Sequence, residues 1–138
     1  MNKMYTQNTN ALVITSTLII PSAYLSYKRH YFLQSYGLLF TIFCSINFWR
    51  SPRHGIRRNM DLIISKIAFF YFLYIGYMHL YGYGCMICYP NLSMILFCYN
   101  RSNTLFINKR EEWLYYHMIF HTLVGLQGYV ITAYLPNI

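Results

Sequence analysis

Five apolar runs, at residues 11–27, 31–49, 61–80, 84–99 and 113–135, alternate with short polar or basic stretches, and this alternation limits the fold more than any motif does. Crossing a hydrocarbon layer about 30 Å thick takes about 20 mostly apolar residues in a helix. Inside that layer each backbone N–H and C=O must find an internal partner, which favours helices over open strands. Only 10% of the 138 residues are charged and 57% are hydrophobic, against roughly 25% charged in an ordinary soluble domain. The pattern predicts an all-α, multi-pass transmembrane helical bundle of four or five spans, forming one integral membrane domain over residues 1–138. The run at 84–99 makes the count four or five, because it is short and contains Pro90, as a tilted span or a re-entrant piece would.

The first run is interrupted by Pro21 and closed by Lys28, Arg29 and His30. Its length and its weak basic flank, Lys3, fit a retained anchor better than a cleaved signal peptide. The second follows almost without a linker, which implies an antiparallel helical hairpin. Residues 50–59 then bring Arg50, Arg53, Arg57 and Arg58 together with the breakers Pro52 and Gly55, a loop at a membrane surface. Lys66, near the start of the third run, is close enough to snorkel back to the headgroups.

The net charge is +8. Because the basic residues lie between the apolar runs, they set topology and meet anionic headgroups, so membrane lipids are the expected partners and nucleic acid is not. With five spans, eight of the ten Lys and Arg outside the runs share one face, leaving Lys28 and Arg29 opposite. The positive-inside rule puts that basic face and the N-terminus in the cytosol or its equivalent.

Cys44, Cys85, Cys88 and Cys98 do not make a secreted disulfide framework. Cys85 and Cys88 have CxxC spacing, but with no second pair they read as small hydrophobes in apolar sequence. Gly125 and Gly128 are three apart and lack the GxxxG register of helix dimers. Tyr81, Gly82, Tyr83 and Gly84 lack the Thr-Val of a potassium filter. Glu111 and Glu112 suit the first turn of the last helix.

His117 and His121 stand out. Four residues apart in a helix, they aim both imidazoles at one face. Such a pair can ligate a metal or hydrogen-bond a neighbouring helix. Ser45 lies about one turn before the second run ends, and Asp61 opens the third. In a five-span bundle all four residues approach the same membrane face. Two imidazoles suit zinc, a carboxylate can complete the shell or take a proton, and a serine can bond a substrate carbonyl.

The run His117-Met118-Ile119-Phe120-His121-Thr122-Leu123-Val124 resembles the final-helix motif His-x-x-Phe-His-x-Leu-Val of the CREST membrane hydrolase superfamily. That superfamily includes the alkaline ceramidases and the adiponectin and progestin receptor group. Ser45 and Asp61 stand where it places a serine late in its second helix and an aspartate early in its third. The resemblance covers about residues 43–65 and 113–128. It implies a zinc-dependent lipid amide or ester hydrolase, with His117 and His121 as zinc ligands and Ser45 and Asp61 as catalytic groups. Two departures accompany it. The family has seven spans, and its Ser-x-x-x-His pattern would put a third zinc histidine at position 49, where this chain has Trp49. An indole nitrogen only donates. His54 folded back from the loop, or Asp61 bound directly, would be the substitutes, whereas His30 and His79 fall at the opposite face.

Two other classes fit the residues. One is a noncatalytic accessory subunit that packs against protein partners in the membrane. The other is a haem protein, which requires an imidazole facing the pair from another helix.

Overall fold

A computed structural model describes residues 9–52 and 55–136, and every described element is helical. In chain order these are α1 (Asn10–Ser16), a 3-10 turn (Thr17–Ile19), α2 (Ile20–Lys28), α3 (Phe32–Trp49), α4 (Ile56–His79), α5 (Tyr83–Ile107) and α6 (Trp113–Tyr134). Two of them, α3 and α4, are long and apolar enough to cross a membrane. The other two long helices, α5 and α6, have 25 and 22 residues. Their tyrosine, asparagine, glutamine and histidine residues lower their mean hydropathy.

Pro21 explains the broken first run. It lacks the N–H that would bond the Thr17 carbonyl, and its ring crowds that carbonyl, so the backbone tightens into a 3-10 turn before α2 resumes. At the α2–α3 corner His30 takes a left-handed φ of 66°, letting α3 double back.

The fourth run is longer than its sequence suggested. From Tyr83, α5 continues to Ile107, so residues 100–107, expected as part of a polar connection, are helical. Pro90 sits in its second turn and removes one ladder bond without ending it. Beyond Tyr99 the helix is held by packing, since Ser102 and Leu105 are buried against the start of α6.

The first two helices lie between α3 and α6, while α4 packs on both α3 and α6. Among the described residues the backbone of α5 approaches α6 alone, and no Cα of α4 comes within 8 Å of one of α5. Close approach of α6 depends on two glycines. A Cβ on Gly125 would meet the Leu18 carbonyl oxygen at 2.7 Å, and one on Gly128 would meet the Ser22 hydroxyl at 3.0 Å. Opposite them Ser22 and Ser26 are fully buried, so small residues serve packing within the chain. Further along, Gln34 donates to Ser26 and Thr132 at 2.8 and 3.0 Å and accepts from the Tyr71 hydroxyl at 3.0 Å. This satisfied cluster ties α2, α3, α4 and α6 together.

Candidate functional site

The antiparallel course places the end of α3, the start of α4 and the start of α6 at one end of the bundle, with α1 beside them. Ser45, Asp61, His117 and His121 gather there. His30 and His79 lie at the other end, after α2 and at the close of α4. His54 and Arg53 lie outside the described residues.

On α6, the rings of His117 and His121 are 4.9 Å apart between centroids, as i and i+4 spacing dictates. His121 Nδ1 is 3.1 Å from the Thr15 hydroxyl and 3.4 Å from that of Ser16. Ser16 is in turn 3.0 Å from the Ser45 hydroxyl. Behind Ser45, the Asp61 carboxyl stands beside the hydroxyls of Ser45 and Ser65. Asp61 is only 7% exposed, and its Oδ1 is the one buried side-chain polar atom among the described residues without a hydrogen-bond partner. A line of polar groups therefore runs from Asp61 through Ser45 and Ser16 to His121. On the far side of the pair, His117 Nδ1 lies 3.3 Å from the Ser102 hydroxyl.

Hydrogen-bond accounting assigns the imidazole tautomers. Ser102 donates its only proton to the Trp113 carbonyl at 3.1 Å, so the nitrogen facing it on His117 is the donor. With Ser16 donating to the Leu12 carbonyl at 2.7 Å and Thr15 to the same oxygen at 3.3 Å, the matching tautomer of His121 carries its proton on Nδ1. Both rings then present bare Nε2 atoms, an assignment made from the network.

The side chain that faces these rings from α3 is Trp49. Its ring centroid lies 5.0 Å from that of His117 and 6.4 Å from that of His121. The indole is 4% exposed and stacks on Trp113 at 6.3 Å. With Leu12, Phe48, Leu105 and Trp113 it builds an apolar plug at this end of the bundle. A haem would need an imidazole in that facing place.

Among the described residues, no three His, Cys, Asp or Glu side chains come together closely enough to hold a metal ion. The ring opposite the histidine pair is donor-only. These residues do not fit the three-protein-ligand arrangement of a catalytic zinc site.

A cavity of about 300 Å³ opens beside the cluster. Ser16, Ser45, Ser65 and His121 form its polar end, and Phe69, Leu73, Ile95 and Val124 are among its apolar walls. It reaches Leu80 and Ile131 at the far end. From Ser65 to Leu80 is about 22 Å along α4 at the helical rise. Its walls include both α4 and α5, whose backbones stay more than 8 Å apart, so the cavity opens towards the flank of the bundle. Partway along, Gln127 also lines it, accepting from the Asn91 amide at 2.8 Å.

Sequence reasoning did not pick out Thr15, Ser16, Ser65, Ser102 or Gln127. Ser65 had a signal, being one helical turn after Asp61. The others depend on which helices become neighbours. Comparison with known proteins returned nothing: no family model, curated protein or solved structure matches this chain.

Proposed function

We propose that this chain is a multi-pass integral membrane protein that holds one acyl chain of a membrane lipid, on a framework akin to the lipid amide and ester hydrolases it resembles. The observation that carries this reading is the cavity, with four polar side chains at one end and a long apolar course away from them. An acyl chain lies along the walls between α4 and α5. Its polar head meets the end lined by Ser16, Ser45, Ser65 and His121. In this proposal Asp61 fixes the orientation of Ser45 and Ser65, and His121 bounds the polar end. The five helical segments act as the spans, and the basic face carrying Arg50, Arg57, Arg58, Arg101, Lys109 and Arg110 lies towards the cytosol or its equivalent. No step is routed through a metal.

Lipid extracted from the purified protein and weighed against the surrounding membrane tests binding. Incubation with an N-acyl or ester lipid, followed for fatty-acid release, tests turnover. Enrichment of acyl lipid supports the binding site. Fatty-acid release that Ser45→Ala and Asp61→Asn both abolish adds hydrolysis.

A second reading, the noncatalytic accessory subunit, is favoured by α4. Ile67, Phe70, Tyr74 and Tyr77 along it are exposed, a surface for lipid or for a partner helix. Co-purification with a larger membrane protein at fixed stoichiometry, unaffected by His117→Ala and His121→Ala, supports that role.

A further inference from the structure

Trp49, His117 and His121 form a triangle of rings with centroid separations of 4.9, 5.0 and 6.4 Å. Three imidazoles on one tetrahedral zinc, each with a Zn–N bond of about 2.0–2.1 Å, would have their centroids roughly 5 Å apart. Two sides of the triangle match that spacing, and the third is longer, as befits the larger indole. We infer that Trp49 is a built-in replacement for a metal ligand: it closes a site of three-imidazole shape, leaves the natural chain free of zinc, and keeps the two histidines as a fixed polar wall.

Three observations support this. The tautomers place protons on both Nδ1 atoms through Thr15, Ser16 and Ser102, which is how a shell of supporting hydrogen bonds prepares Nε2 for another partner. The third ring of the triangle is an indole, which offers a metal ion no lone pair. Finally, Trp49 is anchored from both ends of its residue. Thr9 donates to its carbonyl at 2.7 Å, and its ring is wedged between Phe48 and Trp113. Swinging it aside to admit an ion would break up the apolar plug.

The inference concerns the rings alone and stands apart from whether the cavity holds lipid. The test is zinc content, by elemental mass spectrometry, of protein purified after zinc supplementation. Natural protein and Trp49→Phe are expected to hold less than about a tenth of a zinc per chain, and Trp49→His about one, an increase of about ten-fold. Adding His117→Ala to Trp49→His is expected to abolish the gain. Stoichiometric zinc in the natural protein, lost on His117→Ala with His121→Ala, overturns the inference. So does a Trp49→His protein that elutes as a folded species yet holds no more zinc than Trp49→Phe. Should Trp49→His aggregate, calorimetric titration of zinc into the natural protein decides: absence of binding supports the inference, and a one-to-one isotherm removed by His117→Ala overturns it.

Discussion

The Ser16 and Ser45 hydroxyls, on α1 and α3, lie 3.0 Å apart and join the Asp61 side of the site to the His121 side. Ser16 is 2% exposed and Ser45 7%, so their bond forms away from bulk solvent. Ser16 also bonds the Leu12 carbonyl, and Ser45 also stands beside the Asp61 carboxyl, so the pair belongs to one shared network. Polar pairs between helices in membranes couple by about 0.6 kcal/mol on average and at most about 1.7. A double-mutant cycle of Ser16→Ala and Ser45→Ala, read from unfolding in detergent, is expected to show coupling of that size. Strict additivity of the two variants would separate the hydroxyls.

Gln34 sits in a different network, away from the cavity's polar end. Gln34→Leu leaves the Tyr71 hydroxyl without its acceptor and Ser26 and Thr132 without a shared donor. The expected loss is about 1–3 kcal/mol, the cost of stranding buried polar groups. Tyr71→Phe, which removes only one donor, should cost less, about 0.5–1.5 kcal/mol. Thermal unfolding of the two variants checks the order, and a larger loss for Tyr71→Phe would contradict it.

Gly125→Ala tests the contact between α6 and the 3-10 turn. The added methyl meets the Leu18 carbonyl, a backbone atom with little room to yield. Overpacking of this kind costs about 1–3 kcal/mol. Gly37→Ala, where the new Cβ meets nothing within 4 Å, is the control. An equal response of both variants would show that the close approach does not limit stability.

Arg110 donates to the two carboxylate oxygens of Glu112 at 2.8 and 3.3 Å in the loop before α6. That hydrogen bonding holds the Glu112 carboxyl below its ordinary range. A depressed folded-state value means that the pair's contribution is present above the unfolded carboxylate value and is lost as pH falls through the folded one. Both side chains are well exposed, so Glu112→Gln is expected to leave unfolding at neutral pH almost unchanged. Carboxyl NMR of Glu112 should show a midpoint below that of a model peptide, returning to it in Arg110→Gln. A midpoint already at the peptide value would refute the pairing.

The helical architecture was legible because its signal is long-range and redundant: apolar runs, basic punctuation and antiparallel order. The common depth of Ser45, Asp61, His117 and His121 followed from the same order. Two features of the fold were not legible. The extension of α5 past Tyr99 rests on Ser102 and Leu105 packing against another helix, which local polarity conceals. The hydroxyls of Thr15 and Ser16 reach His121 only because α1 lies beside α6, and residues more than a hundred positions apart leave no spacing to read. Trp49 was visible as a departure from the resembled pattern. That its ring faces both histidines depends on how α3 packs against α6.

The most direct measurement of the central claim is quantitative lipid mass spectrometry on the purified natural protein beside Ala68→Phe, which adds a ring to one wall of the cavity. The natural protein should retain about one acyl lipid per chain through detergent exchange. Ala68→Phe should retain at least several-fold less while unfolding at a similar temperature. Equal retention by the two proteins, or none in the natural one, would contradict an acyl-chain site.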